Sequence, residues 1–526
     1  MPRRPDPDDL LGKIGRLSQI GVALTAERNI DRLLEMIIEG ACDLTRADGG
    51  TLYILSEDAD ALRFAIVRNE TLKIKMGGTG TPITWPAVAL HLPDGRENRT
   101  QVSAYAALTG QVVNIPDVYN AEGFDFSGTR EFDGRTGYRS RSMLVVPMRD
   151  HEGELIGVLQ LLNARDEATG EVTPFSAEAR MMAESLSSQA AVALSQNRLI
   201  RDLEELLESF ITSIAAAIDE KSPYTGGHIR RVAELSLAIA GKINECTSGP
   251  FAAVRFTDDE LKELRFAAWL HDVGKITTPE YIVDKATKLE ALFDRLEVIK
   301  LRARFAAGDR GAQEGWVSPR DPESGEEPLP ADASRKGLEE DLAFLEEINR
   351  GDRLLTDVDL ARIREIAARR CCIGGEEVPL LTAEEVENLS IRQGTLTGRE
   401  REIINNHVRM TIKILSSLPF PRKLKRVPLF AGAHHEKLDG TGYPQGLKGD
   451  LLPLQARILA FADVFEALTA KDRPYKKGKT VKEALRIMEF MVKDGHIDGD
   501  IYDLFVREGI YRDYGERELS PHQRDL

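Results

Sequence analysis

WLHDVGK, Trp269–Lys275, closes an apolar run that starts at Ala267 and ends in adjacent His and Asp residues, followed by a glycine and a lysine. A helix face ending this way directs an imidazole and a carboxylate inward together. Neighbouring helix positions point about 100° apart, so the two cannot easily serve one ion. A carboxylate has two oxygens and can bridge two ions, which makes Asp272 the natural bridge. Buried without a partner, the pair would be costly, and metal is a sensible explanation.

Further candidates lie outward from this motif. His228, in YTGGHIRRVAELSLAIA, shares a helix face with Val232, Leu235 and Ile239, and His407, in EIINNHVRMTIKIL, lines up with Ile403 and Ile414. Singly, such histidines are more often core residues than ligands. Asp463, in ARILAFADVFEAL, says more, because a carboxylate between Ala462 and Val464 in an apolar helix needs a cation or a donor. HHEKLDGTGYP, His434–Pro444, sets two of the nine histidines side by side. Neighbours on a helix or strand rarely share one ligand sphere, so a pocket holding more than one metal is expected. The glycines there permit a tight turn, Tyr443 offers an aromatic face or hydroxyl, and Pro444 fixes the turn.

A length of 526 residues exceeds one ordinary core and predicts roughly two to four domains. The net charge of -16 opposes a polyanion such as DNA, so a phosphate-bearing substrate must be caught by a local basic cluster or by metal. Four cysteines, Cys42, Cys246, Cys371 and Cys372, form no disulfide framework or paired C-x-x-C pattern, which predicts a reduced, cytoplasmic protein. The opening MPRRPDPDDLLG lacks the apolar core of a signal peptide, and no run approaches a membrane span.

From 17 to 198 the pattern mixes helix and strand: LLEMIIEGACDL has helical spacing, while TLYILS, SMLVVPMRD and ELIGVLQLLN read as strands, the last two joined by a hairpin at DHEGE. An α+β domain follows, an antiparallel sheet flanked by helices, and this layout resembles a GAF domain, a small-molecule sensor module. Cyclic-nucleotide-binding GAF domains carry Asn-Lys, Phe and Asp-Glu. Asn163 and Phe175 match, whereas Ala164, Ala179 and Arg180 depart from the pattern. The stretch 120–140 is where a ligand-capping loop would lie.

Next, Ile200, Leu203, Leu207, Phe210, Ile214 and Ala217 recur at steps of three and four, extending backward through Ala193 and Leu186. The seam predicts a coiled-coil signalling helix over 199–220, starting about 177, and a homodimer through it. Helices dominate beyond 209, with T-x-x-E cap signatures at Thr257, Thr382 and Thr397. Between 290 and 394 a Pro-, Gly- and charge-rich middle reads as a loop or disordered excursion, and its helical flanks predict an inserted subdomain with no chemistry of its own.

Taken together, His228, His271-Asp272, Lys275, His407, His434-His435, Gly442-Tyr443-Pro444, Asp463 and DRPYKK resemble an HD-GYP domain over 209–515. The resemblance implies an all-α HD-superfamily fold and a metal-dependent phosphodiesterase that hydrolyses cyclic di-GMP to pGpG and/or GMP. It further implies a di-iron or di-manganese centre with His228, His271, Asp272, His407, His434, His435 and Asp463 as ligands. Asp272 and Lys275 would be catalytic, and Arg473 and Lys476 would contact phosphate beside Tyr443 and Pro444. Some relatives place a glutamate where Tyr224 stands, which argues against a third metal. Lys285 and Lys288 occupy places where relatives carry Lys-Pro-Gly, without the Pro-Gly here. Phosphodiesters are poor electrophiles, and paired ions neutralise their charge while activating water. Two other readings keep part of this picture: action on another cyclic dinucleotide or nucleotide, and a catalytically silent scaffold that binds the messenger or a diguanylate cyclase.

Overall fold

The computed structural model describes residues 7–221, 227–306, 316–317, 331–373, 376–470 and 478–525. They divide into two units, Met1–Leu207 and Glu208–Leu526. The first contains α1 (Pro7–Ala26), α2 (Ile30–Thr45), β1 (Ala47–Leu55), β2 (Ala61–Asn69), β3 (Ile74–Gly77), β4 (Val88–Ala89), α3 (Val102–Thr109), β5 (Val113–Ile115), α4 (Ser127–Thr136), β6 (Met143–Arg149), β7 (Leu155–Arg165) and β8 (Val172–Thr173). The strands pair antiparallel in the order β3-β2-β1-β7-β6-β5, with β4 on β2 and β8 on β7.

Alternation along the strands sends Leu52, Leu144, Val146 and Leu159 to one face, where they pack with Leu33 and Ile37 of α2. Tyr53, Met143, Val145 and Val158 face the other way and meet Ala104 and Ala107 of α3. On that second side lies a cavity of about 790 Å³ whose lining includes Tyr53, Phe64 and Trp85, with Asp125, Phe132 and Arg135 contributed by the 120–140 stretch. Asn163 sits at φ +57°. Its side chain accepts from the Arg141 amide at 2.7 Å and donates to Tyr138 Oη at 2.9 Å and to the Arg139 carbonyl at 2.8 Å, stapling the loop before β6.

The long helix α5 spans Ala177–Asp219. It starts at 177 as expected for the helix, and Leu186 and Ala193 are buried in the first unit's core. Core packing claims the apolar positions there. Exposed apolar side chains gather later, at Leu199, Ile200, Leu203, Leu206 and Phe210, each 60–66% accessible.

The second unit continues with α6 (His228–Glu245), α7 (Asp258–Leu270), a 3-10 turn (Val273–Thr277), α8 (Glu280–Val283), α9 (Leu296–Ala306), β9 (Trp316–Val317), α10 (Ala331–Asn349), α11 (Asp357–Ala367), β10 (Arg370–Ile373), β11 (Glu376–Pro379) and α12 (Ala383–Leu389). It ends with α13 (Gly398–Ser416), α14 (Val427–Ala431), α15 (Leu454–Thr469), α16 (Val481–Lys493), α17 (Gly499–Arg507) and α18 (Ile510–Glu518). Capping boxes form at Thr257, Thr382 and Thr397 as their sequences predict. Thr480 with Glu483 adds another of the same pattern, and Thr356 with Asp359 a variant.

The 290–394 stretch has its own packing, and most of its Pro-, Gly- and charge-rich middle lies outside the described residues. Its described residues include α9 to α12 and a three-stranded sheet, and Leu296, Ile299, Leu345, Ile363 and Leu380 form a core of their own. Scattered apolar residues on short elements build this core, and the charged middle of the stretch masks them in sequence. Lys285 and Lys288 are buried beside it. Lys285 Nζ donates to Asn388 and Glu400 at 2.8–2.9 Å, and Lys288 Nζ donates to the carbonyls of Leu389 and Ile391 at 3.1 and 2.7 Å. Their ammonium groups are engaged by internal hydrogen bonds.

Candidate metal centre

Five segments converge in the second unit. The N-terminus of α6 supplies His228, the end of α7 supplies His271 and Asp272, α13 supplies His407, and the turn after α14 supplies His434 and His435, while α15 brings Asp463. Close approach of α13 to the 3-10 turn depends on Gly274, where a Cβ would lie 1.9 Å from the His407 carbonyl oxygen. The Gly274 amide donates to Thr411 Oγ1 at 2.9 Å, and that hydroxyl donates to the His271 carbonyl at 3.0 Å.

Three imidazoles are oriented alike. Nδ1 of His271, His407 and His434 lies 2.5–2.6 Å from the carbonyl three residues earlier. A carbonyl only accepts, so Nδ1 carries the proton and Nε2 keeps its lone pair. All three Nε2 atoms are buried and have no hydrogen-bond partner. Leaving a buried acceptor unsatisfied costs about 1–3 kcal/mol, and a cation at this point would satisfy all three. His228 is held differently, with Nδ1 2.5 Å from Glu466 Oε2, and Glu466 also accepts from Arg231 Nε at 2.7 Å. Orientation of a ligand imidazole by a carboxylate is the usual outer-shell device in metal sites.

The two oxygens of Asp272 face different groups. Oδ2 lies 3.4 Å from His271 Nε2 and 3.7 Å from His228 Nε2, whereas Oδ1 lies 3.3 Å from His407 Nε2 and 3.9 Å from His434 Nε2. Asp463 Oδ1 stands 3.4 Å from His228 Nε2 and 3.9 Å from His271 Nε2. Two groups of ligand atoms result, His228, His271, Asp272 and His407, His434, His435, each within 4.8 Å internally. Adjacent histidines therefore do fall in one group. The doublet sits on a turn rather than a helix or strand, and its rings lie 4.2 Å apart at 43°, so the periodicity that separates neighbours does not apply.

Electrostatics suit a cation. Burial alone would raise the Asp272 carboxyl, but Lys275, 2.5 Å away, and the imidazoles of His271 and His407 hold it well below the usual carboxylate range. Burial opposes charge on His271, yet Asp272 and Asp463 raise its imidazole to about 9. Burial, reinforced by His435 and His271, pushes His434 well below the ordinary histidine value, and His435 is lowered to about 4 by burial and His407 against the pull of Asp463. The lone pairs of His434 and His435 thus stay available, while the carboxylates draw positive charge to His271.

Tyr443 packs its ring on His435 at 4.9 Å and 30°, and the Tyr443–Pro444 peptide is cis. A Cβ on Gly442 would meet the Lys437 amide nitrogen at 2.4 Å, so the turn requires glycine there. Arg473, Lys476 and Tyr224 lie outside the described residues. Sequence reasoning missed Glu466, Arg231 and Thr411. A buried carboxylate in an apolar helix was the signal used for Asp463, and it applies equally to Glu466 three residues later.

Comparison with known proteins bears on these groups directly. The GAF domain model matches residues 29–194, and two HD domain models match 225–330 and 358–501, both in the unit that holds the centre. The chain joins a GAF domain to an HD-GYP domain. HD domains form a family of metal-dependent phosphohydrolases, and the donor set here fits that description.

The chain is 47% identical over 78 residues to the 3'3'-cGAMP-specific phosphodiesterase 1 of Vibrio cholerae, covering 15% of this chain and 18% of that protein. Over 148 residues it is 36% identical to the cyclic di-GMP phosphodiesterase response regulator RpfG of Xanthomonas campestris, covering 27% and 37%. It therefore spans less than two fifths of the length of each of these relatives. Over the GAF domain of an Acinetobacter phosphoenolpyruvate-protein phosphotransferase, identity is 14% and the TM-score 0.26, covering 36% of this chain and 97% of that one. Among the described residues no helix is long and apolar enough to cross a membrane.

Proposed function

We propose that the HD-GYP domain is a cyclic dinucleotide phosphodiesterase acting on cyclic di-GMP and releasing pGpG and/or GMP, in the cytoplasm, under the control of the GAF domain. The observation that carries the reading is the division of Asp272, one oxygen toward His228 and His271 and the other toward His407 and His434. His228, His271, Asp272, His407, His434, His435 and Asp463 would hold two divalent ions, and the imidazole-rich donors suit iron or manganese. Bound there, such ions neutralise phosphoryl charge and activate water. Asp272 holds the two ligand groups in register, and Lys275, already within 2.5 Å of it, is placed to neutralise charge or protonate the leaving oxygen. Tyr443 offers its ring beside His435 to a base. The exposed stripe Leu199, Ile200, Leu203, Leu206 and Phe210 supports a homodimer through α5, which sedimentation of a Leu203→Glu variant tests by loss of the dimer.

A second substrate, 3'3'-cGAMP, has support in the printed activity of the Vibrio cholerae relative. Turnover of both dinucleotides by full-length protein loaded with manganese or iron, with product identification, separates the two. Preference for 3'3'-cGAMP would replace the substrate while keeping the chemistry. Absence of turnover in fully metallated protein would refute the phosphodiesterase and leave a messenger-binding scaffold.

A further inference from the structure

The helix α5 ends at Asp219, and its last turn is tied to both segments that enter the metal centre first. Asp219 Oδ2 accepts from the Gly227 amide at 3.2 Å, at the entry to α6, whose first residue is His228. Two residues on, Lys221 Nζ donates to three carbonyls, those of Lys275, Ile276 and Thr278, at 2.7, 2.8 and 2.7 Å. An ammonium has three donors, and each finds one acceptor. Those carbonyls end the 3-10 turn that starts beside Asp272, and carbonyl oxygens at a helix end attract a cation; the Lys275 oxygen also accepts from the Thr278 amide. A carboxylate therefore meets a helix start and an ammonium meets a helix end, both favourable in sign. Asp219, Lys221, His228, Asp272 and Lys275 together line one cavity of about 20 Å³.

Lys275 is held from both ends of its residue. Its backbone carbonyl is bound by Lys221 and its side chain reaches Asp272. We infer that Lys221 is a positioning residue for the reaction: by capping the 275–278 carbonyls it fixes Lys275 against Asp272, so that the end of α5 forms part of the catalytic apparatus. The inference rests on the phosphodiesterase reading. It also gives α5, which runs unbroken from the core of the GAF domain to Asp219, a direct chemical link to the reacting groups.

The test uses full-length, manganese-loaded protein and the variants Lys221→Met, Lys275→Met and the double variant, with cyclic di-GMP and bis(p-nitrophenyl) phosphate as substrates. Lys221→Met is expected to lower kcat at least tenfold with KM and metal content held. The double variant is expected to match Lys275→Met alone, because residues acting as a unit are non-additive. Hydrogen exchange is expected to quicken at least tenfold at the 275–278 amides in Lys221→Met and to stay unchanged in the GAF sheet. Full additivity of the two substitutions overturns the inference, as does unchanged exchange at 275–278. Wild-type protein that hydrolyses neither ester refutes the phosphodiesterase reading and the positioning role with it, an outcome distinct from additivity in an active enzyme.

Discussion

Two buried aspartates, one in each domain, show how the same residue type can be structural or functional. Asp48 of the GAF domain is 5% exposed and saturated by protein: Tyr138 Oη donates at 2.6 Å, Thr71 Oγ1 at 2.9 Å and Arg165 Nη2 at 2.5 Å. Asp272 of the HD-GYP domain is 3% exposed and faces four imidazoles, three of them with buried Nε2 atoms that no protein donor or acceptor reaches. Saturation marks a carboxylate that holds the fold. Imidazole lone pairs left facing a carboxylate mark a receptor for something brought from outside.

The largest effect should come from removing each aspartate in turn. Asp272→Ala is expected to lower turnover on the order of 10³-fold and to cut metal content, read by elemental analysis. Asp48→Ala should leave turnover intact while destabilising the GAF domain by about 1–3 kcal/mol in denaturant unfolding, because it leaves the buried Tyr138 hydroxyl without its acceptor. Equal loss of turnover in both would erase the contrast. Chelation should act on one side only: turnover disappears, returns with manganese or iron, and hydrogen exchange quickens near 271–278 and 431–436 but not in the GAF strands.

Glu466→Gln sharpens the comparison at smaller scale, since it weakens the acceptor of His228 Nδ1 without emptying the ligand set. Metal affinity should fall about 10- to 100-fold in a competition titration. The smallest effect concerns Lys288, whose ammonium donates to two carbonyls and is repelled by Arg353. Burial lowers its ammonium to about 8 from an ordinary 10.5. Below about 8 it is charged folded and unfolded, and its burial penalty is fully present. Between 8 and 10.5 the unfolded chain binds the proton that the folded chain has lost, so stability rises with pH. Denaturation at pH 7.5 and 9.5 should show that gain in wild type and its absence in Lys288→Met.

Much of the centre was legible because its residues break local rules. Asp463 interrupts an apolar helix, and His271-Asp272 closes one, so periodicity exposes both without any knowledge of the partners. The strands of the GAF domain and the caps at Thr257, Thr382 and Thr397 are likewise local, set by alternation and by side-chain reach over three residues. The core of the 290–394 stretch was not legible, since Leu296, Leu345 and Leu380 meet only across long separations. Nor was the burial of Leu186 and Ala193 in the first unit's core, because they have coiled-coil spacing whichever surface they cover.

Residue types, their local periodicity and their order along the chain point to the two domains and to the candidate ligand side chains. Only tertiary structure decides that Asp272 divides its oxygens between two imidazole groups, that His434 and His435 share one of them, and that Lys221 reaches the carbonyls of the 275–278 segment. The physical reason is range: propensity and patterning act over a few residues, whereas coordination and hydrogen bonding depend on ångström distances between segments brought together by burial.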